Sequence, residues 1–152
     1  MVTDPVMTAP VHFETRIPSD TADGLVVQEK IVSLMEQFHY SARDVFAMRL
    51  SLEESITNAI RHGNKFSTTK TVEIHCTITD HKMLVVVQDQ GEGFVPEDVP
   101  DPTSLEFIER PSGRGLLLMK AYLNHFEYSD GGRRVTLVRE RNSELPLMED
   151  DD

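Results

Sequence analysis

Residues 51–64 read Ser51-Leu52-Glu53-Glu54-Ser55-Ile56-Thr57-Asn58-Ala59-Ile60-Arg61-His62-Gly63-Asn64. Their period is helical. Val45, Met48, Leu52, Ile56 and Ala59 recur every three or four residues and form one apolar stripe. Ser41 with Asp44 three residues later is a capping-box start, and Gly63-Asn64 is a helix stop. Off the stripe lie Glu54, Asn58 and His62, spaced so that they stack on one ridge with Arg61 beside it. A carboxylate there can accept a proton or orient a hydroxyl. An amide oxygen is a neutral hard ligand, suited to a magnesium ion that already carries phosphates. The same polar spacing is common on solvated helix faces, so the rest of the chain must decide between the two readings.

The chain has 152 residues, 39% of them apolar, which fits one domain with a real core. Its net charge of -11, without a stretch rich in Lys and Arg, argues against binding nucleic acid through the general surface. Part of the acidity sits in Glu149-Asp150-Asp151-Asp152, at the end of an expected acidic tail over 143–152. The single Cys76 cannot form an internal disulfide, which suits a reducing cytoplasm. There is no basic-then-apolar leader and no apolar run near eighteen residues, so neither a secretion signal nor a membrane contact is expected.

Outward from the central helix, the chain divides by period. Residues 1–11, with Pro5 and Pro10, are expected as a flexible arm, and 12–142 as one domain. Val11, Phe13, Thr15 and Ile17 alternate with polar residues up to Pro18, an edge-strand pattern. Ser19-Asp20-Thr21 opens a helix carrying Val27, Ile31, Leu34, Met35 and Phe38. After the central helix, Val72, Ile74, Cys76 and Ile78 alternate with polar residues in a half-exposed strand. Met83–Val87 is a second strand, apolar enough to be expected buried on both faces. His75 reads as a solvent-facing strand residue with nothing at ligand spacing beside it. The segment from Phe94 to Ser112 has no strong period and holds Pro96, Pro100, Pro102 and Pro111; a loop this long in a compact domain is expected to be a lid. Leu116 to Leu123 is a short helix, and His125–Tyr128 and Val135–Arg139 are strands joined at Asp130-Gly131-Gly132. The order predicts an α+β two-layer sandwich, a mostly antiparallel sheet with helices on one face.

Two glycine motifs flank the lid. Asp89-x-Gly91-x-Gly93 follows a strand; its carboxylate can accept a hydrogen bond from an exocyclic amine, and its glycines let backbone approach a flat ligand. Gly113-x-Gly115 opens a helix, where bare backbone N–H groups make an anion site. Either motif alone is also an ordinary turn. Their order is more specific: a Glu/Asn helix, a base reader, a lid, then a phosphate site.

In that order the three stretches resemble the boxes of the GHKL ATPases, whose members include gyrase B subunits, histidine kinases and MutL-type repair proteins. Glu54 to Gly63 resembles the N box, Asp89 to Phe94 the first glycine box, and Gly113-Arg114-Gly115-Leu116-Leu117-Leu118-Met119 the second. Length and box form resemble most closely the bacterial anti-sigma-factor serine kinases. The resemblance implies a Bergerat-type fold binding ATP and Mg²⁺ in a bacterial cytoplasm. It implies that Asn58 holds Mg²⁺, that Glu54 is the general base, and that Asp89 reads adenine with Gly91 and Gly93 shaping that wall. Gly113 and Gly115 would give N–H groups to the phosphates; Arg61, His62 and Arg114 would lie beside the nucleotide. The implied function is that of an ATP-dependent anti-sigma factor that phosphorylates its antagonist on serine or threonine. The implied partners are a sigma factor, that antagonist and a second copy of the chain. The alternative is an ATP-binding module that sequesters a partner without phosphoryl transfer. One departure is plain: where the family often has a Gly-Thr-Thr-like run, this chain has Gly132-Arg133-Arg134-Val135-Thr136.

Overall fold

Among the described residues, alternation and one continuous apolar run produce five strands, and two long amphipathic stretches and one short one produce the helices that cover them. The computed structural model describes residues 8–93 and 113–147; the expected lid lies outside these. The order is β1 (Val11–Pro18), α1 (Thr21–Gln37), α2 (Ala42–Asn58) continuing into a π-helical turn (Ala59–Gly63), β2 (Thr71–Ile78), β3 (Lys82–Gln88), α3 (Gly113–Tyr122), β4 (His125–Ser129) and β5 (Arg134–Glu140). The sheet runs β1-β2-β3-β5-β4 with every pair antiparallel, which puts β1 at an edge as its pattern predicts.

One face of the sheet meets the helices. Val72, Ile74, Cys76 and Ile78 of β2, Met83, Val85 and Val87 of β3, and Val135 and Leu137 of β5 pack on Ile31 and Met35 of α1, Met48, Leu52 and Ile56 of α2, and Leu116 and Met119 of α3. This is the expected two-layer α+β sandwich. The caps follow the sequence: Asp20 accepts from Ala22 N at the start of α1, and Ser41 Oγ accepts from Asp44 N at 3.1 Å at the start of α2.

Three expectations need correction. β3 is buried on one face only. Leu84 and Val86 are half-buried, because among the described residues no helix covers the sheet's second face and they are shielded sideways by Thr77, His75, Val138 and Thr136 at the same ladder positions. Asp44 does not complete the capping box. Its carboxylate turns inward, accepting from Arg139 Nε at 2.8 Å and from Asn142 N at 2.7 Å, with both side chains of the Asp44–Arg139 pair fully buried. Finally, residues 143–147 of the expected tail are fastened to the domain. Arg139 donates to the carbonyls of Ser143 and Leu145, and Arg43 to those of Glu144 and Pro146.

Candidate functional site

The polar ridge of α2 forms as its spacing predicts at its first two members. Asn58 Nδ2 donates to Glu54 Oε1 at 3.5 Å, and both residues are half-buried while Glu53 is exposed. Burial raises the Glu54 pKa. The Asn58 hydrogen bond opposes the shift, Glu53 adds to it, and the Arg61 guanidinium lowers it. Beyond Asn58 the helix widens: Asn64 N donates to Ala59 O at 2.8 Å, five residues back. A π turn advances each residue by less than the α-helical 100°, and His62 makes no hydrogen bond to Asn58 or Glu54. It and Arg61 are exposed at the helix end, and partial desolvation together with Arg61 lowers the His62 pKa. Such turns recur at functional sites because they re-aim the residues that follow.

The widened turn ends against the first glycine motif. A Cβ on Gly63 would overlap the Asp89 carboxyl, and one on Gly91 would overlap the Gly63 carbonyl. The chain therefore needs glycine at both positions for the helix end to touch the loop after β3. Asp89 is held at that contact. Its N–H donates to Arg133 O at 2.9 Å and its Oδ1 accepts from Gly91 N at 2.8 Å. Burial raises the Asp89 pKa; the Gly91 N–H, Arg133 and Lys70 lower it, and Asp130 raises it. Gly93 follows at φ 78°, a left-handed conformation that favours glycine.

The second glycine motif closes on the other end of the ridge. Gly113 is the first residue of α3. A Cβ on Gly115 would overlap the Glu54 carboxylate, and Ser55 Oγ donates to Met119 Sδ at 3.2 Å, so the first turns of α3 lie directly on α2. The Arg114 side chain lies outside the described residues. Tyr128 of β4 packs on the core. Burial first, then the charges of Glu54 and Asp89, push its hydroxyl up to about 12. Gly115 against Glu54 and Gly63 against Asp89 set both glycine motifs on the one helix. The three motifs, distant in sequence, thus converge on the helix-facing side of the sheet.

Three contributors carry no motif. Asn64, buried, accepts from Gln90 N at 2.7 Å and donates to Thr71 O at 2.9 Å and Ser19 Oγ at 3.1 Å. Arg133 donates from Nε to Gly91 O at 2.8 Å and from Nη2 to Glu92 O at 2.9 Å. Together they fix the backbone of 89–93. Tyr128 is the third. Sequence flags Asn64 only as a helix stop and Arg133 only as part of the departure from the Gly-Thr-Thr run. Thr136 pairs with Val86 and Glu127, on the face without helices, so it lies away from the converging motifs.

The donor set fits a magnesium nucleotide. The N-terminus of α3 offers N–H groups and a positive dipole end to phosphates. Asn58 offers an amide oxygen for a hard cation. The half-buried Asp89 carboxylate offers an acceptor for an amine.

Comparisons with known proteins agree. Residues 17–139 match the model of the histidine kinase-like ATPase domain, and the chain belongs to that family. It is 22% identical over 137 residues to a serine-protein kinase RsbW of Staphylococcus epidermidis, covering 84% of this chain and 86% of that one. It is 27% identical over 119 residues to an anti-sigma F factor of Clostridium perfringens, covering 74% and 84%. Among solved structures, the RsbU and RsbW domains of a Mycobacterium tuberculosis protein superpose with a TM-score of 0.58 at 12% identity, over 88% of this chain and 32% of that one, a likeness of fold. Among the described residues, no helix is long and apolar enough to cross a membrane.

Proposed function

We propose that the chain binds ATP with Mg²⁺ in this cleft and transfers the γ-phosphoryl group to a serine or threonine of a protein that antagonises it, while also binding a sigma factor. The observation that carries the reading is that the first turn of α3 packs on Glu54 while Gly63, at the end of the same helix, packs on Asp89. Transfer of this kind is positioning plus charge neutralisation. Glu54 takes the proton from the acceptor hydroxyl as its oxygen bonds to phosphorus. The raised pKa makes this carboxylate a stronger base than an exposed one. Asn58 orients Glu54 and holds Mg²⁺. Asp89 accepts from the adenine amine, and Gly91 and Gly93 leave room for the ring. Gly113 and Gly115 donate backbone N–H groups to the phosphates, with Arg61, His62 and Arg114 at the rim. ATP would supply the phosphoryl group and leave as ADP, and Mg²⁺ held by Asn58 would supply positive charge beside the phosphates.

The serine-protein kinase and anti-sigma factor names of the relatives support this partner class. The test is incubation with radiolabelled ATP, Mg²⁺ and candidate antagonists encoded in the same genome neighbourhood. Label on one antagonist, lost with Glu54→Gln while ATP still binds, is the expected result. Label that persists in Glu54→Gln at the wild-type rate removes Glu54 from the base role. Wild-type protein that labels no antagonist, yet changes its partner affinity with ATP, is a sequestering module instead.

A further inference from the structure

The face of the sheet without helices carries a second cluster, unrelated to the nucleotide cleft. Register places Glu14 of β1 directly opposite His75 of β2, and His12 opposite Thr77, so two imidazoles flank one carboxylate across the β1–β2 ladder. His75 thus has companions, sixty residues away in sequence, that its own strand does not reveal. His12 Nε2 lies 3.3 Å from Glu14 Oε1, and His75 Nδ1 lies 3.2 Å from the same atom. One ligand atom from each of the three residues falls within 4.8 Å of the others. Tetrahedral ligands at Zn–N and Zn–O bonds of about 2.0–2.1 Å sit roughly 3.3 Å apart, so both measured edges match a coordination polyhedron.

The far nitrogens are anchored as well. His75 Nε2 pairs with Glu73 Oε1 at 2.7 Å, and His12 Nδ1 with Thr77 Oγ1 at 2.7 Å. Each ring is thereby fixed in orientation by a carboxylate or hydroxyl, with its other nitrogen aimed at Glu14. This is the outer support that metal-ligating histidines ordinarily have. We propose that His12, Glu14 and His75 form a site for a borderline transition dication, Zn²⁺ or a neighbour in that series, with water completing the shell. Two imidazoles and one carboxylate suit such ions and disfavour Mg²⁺ and Ca²⁺, which take oxygen. His12 and Glu14 are 53% and 57% exposed, so ions reach the site directly. Bridging β1 to β2 would pin an edge strand.

The test uses the full chain without a polyhistidine tag. Zn²⁺ is titrated against a chromophoric chelator, Co²⁺ absorption reports the ligand set, and melting is followed with and without Zn²⁺. Expected are one Zn²⁺ per chain at micromolar concentration, a higher melting temperature with Zn²⁺ and no such rise with Mg²⁺. His12→Ala and His75→Ala abolish these effects, Glu73→Gln weakens binding by about tenfold, and His39→Ala changes nothing. Circular dichroism confirms that each variant is folded. Wild-type protein that takes up no Zn²⁺ overturns the site, leaving a cross-strand network of ion pairs. So does a folded His12→Ala/His75→Ala double variant that binds as wild type.

Discussion

At Glu54, the proposed base, two demands conflict. A base must be ionised and strong, whereas the half-buried place that makes it strong also penalises its charge. Burial is the largest cause of its raised pKa, ahead of the Asn58 hydrogen bond that opposes it. A carboxylate whose folded pKa lies above its unfolded one holds its proton better when folded. Its favourable contribution is complete below the unfolded pKa and is lost as pH rises through the folded one. Glu54→Gln removes that penalty. The variant should melt higher than wild type at neutral pH, with the gain shrinking as pH falls through the carboxylate range, while transferring no phosphate. Thermal melts from pH 4 to 8 check this, and a variant less stable than wild type at pH 7 contradicts it. Asp89 carries the same conflict at the opposite end of the cleft. Asp89→Asn should weaken ATP binding by roughly 1–3 kcal/mol, as for a buried acceptor that loses its partner. Calorimetry reading an unchanged affinity would remove Asp89 from the base-reading role. Glu54, Asn58 and Asp89 are legible in sequence because their partners are local, a helical neighbour at i+4 and a glycine at i+2. Asn64 is not, since its partners are Ser19, Thr71 and Gln90.

Among the elements, periodic segments are the readable ones. α1, α2 and all five strands lie where alternation or helical spacing puts them, because each buries one side against the same core. Where period is absent or interrupted, sequence gives less. The π turn at 59–63 continues the helical pattern, and no residue type announces it. Leu84 and Val86 look buried because hydropathy does not record whether a second layer exists. The loop 89–93 shows how irregular backbone is kept in place: Asn64 holds Gln90 from below and Arg133 grips the carbonyls of Gly91 and Glu92 from the side. Asn64→Ala would leave Gln90 N and Thr71 O without this partner in a partly buried setting. A cost of about 2 kcal/mol or more follows from two backbone groups at 1–3 kcal/mol each. The same variant should lose ATP affinity, although Asn64 is not placed at the nucleotide. Urea melts with ATP titration measure both. A loss of stability with ATP affinity intact would separate the loop from the cleft.

For the molecule as a whole, the decisive contacts span the chain, and pairing register is what sequence conceals. The proposed nucleotide cleft draws on residues 54, 63, 89 and 115, and the cluster on the open face needs β1 set against β2 in one particular register. The Asp44–Arg139 pair is the extreme case, joining the first turn of α2 to the last strand. Ser41-x-x-Asp44 reads locally as a capping box, and nothing near Asp44 points to a guanidinium 95 residues away. A buried pair on its own is weak evidence for stability, since well-packed apolar residues often replace it without loss. This pair differs in what hangs on it. Arg139 also donates to the carbonyls of Tyr122, Ser143 and Leu145, and Asp44 accepts from Asn142 N. It therefore satisfies the end of α3 and the segment after β5 together. Asp44→Ala leaves a buried cation with only carbonyl partners and should cost about 3–5 kcal/mol. An apolar pair, Asp44→Leu with Arg139→Met, should not restore wild-type stability, because the two substitutions together remove the partners of all four backbone groups. In urea both variants should unfold at lower midpoints, and amide exchange should accelerate at 142–147 before it does in the core strands. A double variant as stable as wild type would mean that the pair only fills space and that residues 143–147 are held by other contacts.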